Sequence, residues 1–234
     1  IEDYGNGCFR CSITSTATST SSGTTGFSST KPISVSTLYL WGAMLEEGSF
    51  STSYIPNYGT AGGVTRSAET ANGSGDAATF NDSEGVLMAE ISALVNPVIS
   101  GKNITISDGT ASNYITIEYY QDGRVYGTVY DGSAVFTDFA INQYENNKIA
   151  IKYSSNGSKL YVNGIGVDFG AKSFAPNTLN TLQLSNATST GSYFEGNVKQ
   201  VQYFDTTLND NELETLTSWV SFQDMAEGQL YTIE

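Results

Sequence analysis

The sequence predicts an all-β protein: an antiparallel β-sandwich with one short C-terminal helix, preceded by a partial β module. Three observations lead there. Only 15% of the 234 residues are charged, while Gly reaches 24 and Tyr 15, a composition that favours short strands and tight turns. Apolar and polar residues alternate in short runs separated by Asp-Gly and Asn-Gly pairs. One stretch near the C-terminus switches from that alternation to helical spacing.

Residues 1–56 alternate weakly. "CFRCSITSTATS" places Phe9, Cys11 and Ile13 on one face, and "ISVSTLYLWGAML" places Ile33 and Val35, then after a register change Leu38, Leu40 and Gly42. Strands this sparse in apolar residues make a poor sandwich alone. They read as the C-terminal part of a β module completed by a missing N-terminal half, a partner chain or the rest of this chain. The chain opens at Ile1 in mid-pattern and reads as a fragment or processed product. Trp41 and Leu45 are expected as the module's last core residues, with Glu46-Glu47-Gly48-Ser49 as its turn. Residues 57–79 have no periodicity and read as a linker or strap.

From Phe80 the alternation sharpens, and residues 80–218 are expected to form the sandwich. Strands are predicted over 85–95 and along "NITIS", which ends at an Asp108-Gly109 turn. A hairpin follows, with strands 113–120 and 124–130 joined at Gln121-Asp122-Gly123. A second hairpin pairs 147–153 with 158–163 around Asn156-Gly157. Strands at 180–186 and 197–205 precede a short helix. Asn209 or Asp210 caps it, Glu212 and Glu214 occupy its first turn, and Leu213 and Leu216 pack inward. Residues 219–234 read as a terminal strap or strand.

Side-chain alternation sorts the strand residues into faces. Ile115, Ile117, Tyr119, Val125, Val129, Ile149, Ile151, Tyr153, Leu160 and Val162 face a core. The other face carries Tyr120, Tyr126, Tyr130 and Tyr161 among Thr116, Glu118, Thr128 and Lys152. Aromatic rings stack on the C–H faces of sugars, and polar neighbours bond hydroxyls. These residues therefore form a candidate ligand-binding platform. The alternative is that they are ordinary strand residues covered by a loop, a neighbouring domain or a partner chain.

Composition also excludes. With 10 basic and 24 acidic residues the net charge is −14, which disfavours nucleic acid and anionic membranes. The sequence contains no His, so Ser-His and Cys-His nucleophile pairs are absent. Cys8 and Cys11 lie in an extended segment that points them to opposite faces, against a metal or redox role. No apolar stretch is long enough to span a membrane.

Two resemblances follow from specific motifs. "KIAIKYSSNGSKLYVNG" contains the return-strand pattern Y-x-N-G at Tyr161, Asn163 and Gly164. "GNVKQVQYFDTTLNDNEL" contains Gly196, Val198, Val201, Tyr203, Leu208, Glu212 and Leu213 at matching positions. By these, residues 80–218 resemble the laminin-G/concanavalin-A-like lectin superfamily, which implies a jelly-roll sandwich. The fold hosts lectins, adhesins, hydrolases and structural modules alike. Separately, "NGCFRCSITSTAT…LYLWGAMLEEGSFSTSYIPNYGTAGGVTRSAE" resembles the end of a jelly-roll module common in bacteriophage tail and appendage proteins. Asn6, Gly7, Arg10, Cys11, Trp41, Gly42, Leu45, Glu46, Gly48, Ser53, Tyr54, Ile55, Pro56, Thr65 and Arg66 match, while Cys8 stands where an aromatic is usual.

The resemblances imply a virion structural or appendage protein whose lectin-like domain binds host surface glycans during adsorption. It would contact other virion proteins as a homo-oligomer, with a trimer expected. The alternatives are a glycan-binding module of a secreted bacterial protein, a purely architectural virion module, or a polysaccharide hydrolase or lyase. No catalytic residues are assigned, because laminarinase-like members place acids at i, i+2 and i+4 of one strand. Here Glu118 has Thr116 and Tyr120 as same-face neighbours, and Glu90 has Met88 and Ser92. No cofactor is expected. The superfamily often binds Ca2+, so the resemblance admits a structural Ca2+ without assigning ligands; Asp108, Asp122 and Asp131 each precede Gly, which is first a turn signal.

Overall fold

A computed structural model describes residues 1–3, 6–16, 39–47, 51–60, 62–65, 74–93, 101–188, 191–219 and 221. The chain divides into two compact units, Ile1–Glu69 and Thr70–Glu234, a division that falls inside the stretch read as a strap.

In the first unit, β1 (Glu2–Asp3) pairs antiparallel with β2 (Phe9–Arg10). The Glu46 carboxylate accepts from Thr52 N at 2.6 Å and Thr52 Oγ1 at 2.6 Å, and Arg10 donates to the Thr52 carbonyl. Residues 39–47 form no strand. The expectation that Trp41 and Leu45 are core residues is corrected: they are 85% and 90% exposed. Trp41 instead packs on Tyr54, ring centroids 4.8 Å apart and planes tilted by 47°. Alternation alone identified a face, and the described residues of the unit bring too few apolar partners to bury it. Cys8 and Cys11 are free and exposed. Ile33, Val35, Leu38, the Gly48-Ser49 half of the expected turn, the end of the 85–95 strand and most of 219–234 lie outside the described residues.

The second unit is a sandwich of two five-stranded antiparallel sheets. Its strands are β3 (Glu84–Ala93), β4 (Lys102–Ser107), β5 (Asn113–Tyr120), β6 (Arg124–Asp131), β7 (Ala134–Ala140), β8 (Asn147–Ser154), β9 (Ser158–Val162), β10 (Ile165–Phe169), β11 (Thr181–Gln183) and β12 (Gly196–Phe204). One sheet has the order β10-β9-β8-β3-β12, the other β11-β4-β5-β6-β7. β7 and β10 were not expected from the sequence. Both are sheet edges with few buried residues, so the core pattern that marks the other strands is weak in them.

The core lies between the sheets. Leu87, Ala89, Ile91, Ile149, Ile151 and Leu160 of one sheet meet Ile104, Ile106, Ile115, Ile117, Tyr119 and Val125 of the other. Gly127 marks a close approach: a Cβ there would lie 2.9 Å from Leu160 Cδ1 and 3.2 Å from Ile151 Cγ1. The Tyr119 hydroxyl crosses the core to donate to the Ile91 carbonyl at 3.0 Å, which satisfies the polar tip of a fully buried ring.

β3 is buried on both faces because a helix covers its outer side. That helix, α1 (Asp210–Thr217), begins at Asn209. The Asn209 side chain accepts from Glu212 N at 3.0 Å, and the Glu212 carboxylate accepts from Asn209 N at 2.8 Å, a reciprocal cap. Leu213 packs on Val86, Met88, Ala150 and Tyr161. Asp210, released from capping, receives Lys159 Nζ at 2.8 Å, Tyr161 OH at 2.7 Å and Lys152 Nζ at 3.1 Å. The helix is therefore fixed to its sheet by one apolar plug and one charged hub.

The bond from Lys159, with those from Tyr161 and Lys152, holds the Asp210 carboxyl well below the usual carboxylate range. A carboxyl depressed in the folded state stabilises the fold above its unfolded pKa and loses that contribution as pH falls through the folded value. The pairs are partly solvent-exposed and are discounted accordingly. Asp210→Asn is expected to cost about 1 kcal/mol at neutral pH. The gap to wild type should close as pH falls below the ordinary aspartate range, as urea denaturation across pH would measure.

Candidate functional site

Among the described residues no helix lies on the outer face of the β11-β4-β5-β6-β7 sheet. Register sets its side chains in rows. Asn103 lies opposite Glu118, which lies opposite Tyr126; Thr105 lies opposite Thr116, which lies opposite Thr128; Tyr114 lies opposite Tyr130. β4 is bonded to a segment at residues 185–188 and 191–192. Thr105 Oγ1 donates to the Ser185 carbonyl at 2.8 Å, Ser107 Oγ to the Ala187 carbonyl at 3.2 Å, and the Ser192 carbonyl accepts from Asn103 N at 3.1 Å. Between this segment and the rows of β4, β5 and β6 lies a cleft of about 260 Å³, lined by Asn103, Tyr114, Thr116, Glu118, Thr128 and Thr188 among others.

The walls differ in chemistry. Tyr114 and Tyr130 stack with rings parallel to within 6° and centroids 5.0 Å apart, an apolar slab at one end. Hydroxyls of Thr105 and Thr116, 2.9 Å apart, continue the floor. At the other end is Glu118. Its carboxylate lies over Gly101, where any Cβ would collide with it. Glu118 has no hydrogen-bond or ion-pair partner among the described residues. Asn103 is only 7% exposed; its amide nitrogen donates to Thr116 Oγ1 at 3.2 Å, but its Oδ1 has no partner. Burial, and secondly the negative charge of Asp122, pushes the Glu118 carboxyl above the ordinary glutamate value.

The family pattern matches residues 89–214, just over half of the chain. This chain belongs to the concanavalin A-like lectin/glucanases superfamily. The fold of its concanavalin A-like domain is similar to that of the CBM40 of Ruminococcus gnavus IT-sialidase, with a TM-score of 0.50 at 17% identity over 58% of this chain and 84% of that one. The same CBM40 bound to alpha2,3 sialyllactose gives 0.50 and 17% over 59% and 84%. NanB sialidase from Streptococcus pneumoniae gives 0.48 and 15% over 59% of this chain and 24% of that one. At these identities the likeness is one of fold. No curated protein matches the chain.

The concanavalin A-like sandwich separates the residues that alternation grouped together. Glu118, Tyr120, Tyr126, Thr128 and Tyr130 share the open sheet face with Thr116. Tyr120 and Tyr126 meet edge to face at 5.8 Å, and the Tyr126 hydroxyl donates to Asp122 at 2.8 Å. Their position flanks the cleft, whose lining on β5 and β6 is Tyr114, Thr116, Glu118 and Thr128. Tyr161 and Lys152 are corrected: they belong to the other sheet, on the opposite side of the sandwich. Tyr161 is fully buried beneath α1, and Lys152 is bound to Asp210. Alternation distinguishes core from non-core but does not say which of two sheets a strand joins. Sequence reasoning missed Asn103, Thr105, Tyr114 and residues 185–188 and 191–192. Tyr114 alone had a local signal, because it shares the parity of Thr116 and Glu118.

The Asp-Gly acids are all engaged, Asp108 and Asp122 locally and Asp131 by a distant lysine. Asp108 accepts from Thr110 and Asn113, Asp122 from Tyr126 and Arg124 N, and Asp131 from Lys172. Among the described residues no three acidic or thiol side chains cluster as a metal site.

A carboxyl raised in the folded state binds its proton more tightly there than in the unfolded chain. Stability is then undiminished below the ordinary glutamate pKa of about 4.3 and falls as pH rises through the folded value. Glu118→Gln is expected to match or exceed wild-type stability at pH 7, the difference vanishing near pH 4. Side-chain carboxyl NMR should place the Glu118 midpoint above that of an ordinary glutamate. A midpoint below it would contradict the site geometry.

Proposed function

We propose that this protein is a non-enzymatic virion appendage protein whose concanavalin A-like domain binds host surface glycans through the cleft on the open sheet. The observation that carries the reading is the cleft itself: a stacked Tyr114–Tyr130 pair beside Thr hydroxyls, with the Asn103 Oδ1 unpartnered and Glu118 without a partner among the described residues. Buried or half-buried polar atoms in folded proteins are normally satisfied. Groups left open in a concave, aromatic-edged site are the usual arrangement for a polar ligand. The CBM40 that shares the fold is bound to sialyllactose, which supports a sugar as the ligand class. The absence of a same-face acid partner on the Glu118 strand supports binding over hydrolysis.

The virion setting rests on the long motif match in the first unit, from Asn6 to Arg66. Phe9, Ile13, Tyr39, Trp41 and Leu45 are all more than half exposed there. Exposed apolar side chains in such numbers are the mark of a surface that meets another protein. Further copies of this chain and other virion proteins are the proposed occupants, in a homotrimer.

Two experiments address these claims. On a glycan array, wild type should bind a defined set of sugars. Tyr114→Ala/Thr128→Val should lose at least about tenfold in affinity, as removal of an aromatic contact and a polar contact would cause. Unchanged binding by a folded double variant would place the site elsewhere, and no binding by wild type would favour a purely architectural role. For assembly, light scattering of the purified chain should give a trimer mass; a monomer at micromolar concentration would contradict it.

A further inference from the structure

Building on the reading of the cleft as a glycan site, we propose that it accepts sugar units without negative charge and rejects acidic ones, with Glu118 as the deciding residue. The one charged group that lines the cleft, Glu118, is an acceptor, while the lining hydroxyls of Tyr114 and Thr128 accept as well as donate. Glu118 offers two carboxylate oxygens with no partner among the described residues, and behind them the Asn103 Oδ1 is buried without a partner and adds a second acceptor to the wall of the cleft. A ligand that satisfies them must bring hydrogens: the hydroxyls of a neutral sugar or the ammonium group of an amino sugar. A carboxylate, sulfate or phosphate brings none.

The charge around the cleft points the same way. The outward positions of β4, β5, β6 and β7 hold two acids, Glu118 and Asp138, and the β5–β6 turn adds Asp122. Against them stands one basic side chain on these positions, Arg124, and both its Nε and a terminal nitrogen are bound to Asp138. No Lys or Arg lines the cleft. An acidic sugar would therefore meet a half-buried carboxylate in a medium of reduced dielectric, where like charges repel strongly. Two adjacent hydroxyls of a neutral sugar can instead donate to both Glu118 oxygens at once. A free amine adds an ion pair. The fold is shared with a module bound to sialyllactose, whose sialic acid is an anion, so the shared fold would not bring a shared ligand.

The test uses the full chain and an array of matched triplets, each one oligosaccharide core in neutral, de-N-acetylated and sialylated or uronic form. Wild type should bind the acidic member at least about tenfold more weakly than the neutral one, and the amine-bearing member at least as well as the neutral one. Glu118→Gln should narrow the acidic–neutral gap to about threefold. Asn103→Asp, which adds a second carboxylate, should widen it. Raised ionic strength should compress the ranking. Wild type that binds acidic and neutral members equally, or a gap that Glu118→Gln leaves unchanged while the variant melts like wild type, would overturn the proposal. Wild type that binds no member of any triplet is a different result: it removes the glycan site itself, and the selectivity with it.

Discussion

The apolar seam between the two sheets is the constraint on which everything else in the second unit depends. Ile, Leu and Val side chains of β3, β8 and β9 must face those of β4, β5 and β6, and burial of this kind supplies most of the stability of a sandwich. Once the inner faces are committed, each sheet has one outer face left, and the two have different fates. The face of β3, β8 and β9 carries Val86, Met88 and Ala150 and is closed by Leu213 of α1. The face of β4, β5 and β6 carries hydroxyls, tyrosines and one glutamate, and is left with a cleft.

The same chemistry seals one side and opens the other. Both faces present a tyrosine and charged groups, but on the closed side every such group has a partner. Tyr161, Lys152 and Lys159 all converge on Asp210. On the open side, among the described residues, the Asn103 Oδ1 is left without one, and so is the Glu118 carboxylate. A half-buried carboxylate without a cation costs stability unless something else offsets it. Positions that break the rule of polar satisfaction in a fold otherwise consistent at every level are where function is expected. Gly101, which leaves room for the carboxylate, belongs to that arrangement.

Much of the fold was legible in the sequence, and the reasons are local. The Asp122-Gly123 and Asn156-Gly157 turns fixed two hairpins, and alternation in "YITIEYY" and "KIAIKY" sorted their residues correctly into core and non-core. Asn209 or Asp210 ahead of Glu212 and Glu214 located the helix start, and the structure settles the cap on Asn209. Edge strands β7 and β10 were not legible, because an edge with one weakly buried face lacks a strong period. The site was half legible. Parity placed Thr116, Glu118, Tyr126, Thr128 and Tyr130 together, but it could not tell that the hairpin holding Lys152 and Tyr161 joins the other sheet. Asn103 and residues 185–188 and 191–192 enter only through long-range register, which no local pattern encodes. Trp41 and Leu45 show the complementary limit: an apolar pattern marks residues that want burial, and burial itself depends on what is present to cover them.

The central claim is that the open sheet face, at the cleft, is where this protein meets its ligand. Amide chemical-shift mapping with a glycan retained on the array tests it most directly. The account requires the largest shifts at Asn103, Thr116, Glu118 and Thr128, with α1 and the first unit unmoved. Shifts concentrated on α1, around Asp210 and Leu213, or confined to the first unit, would contradict it.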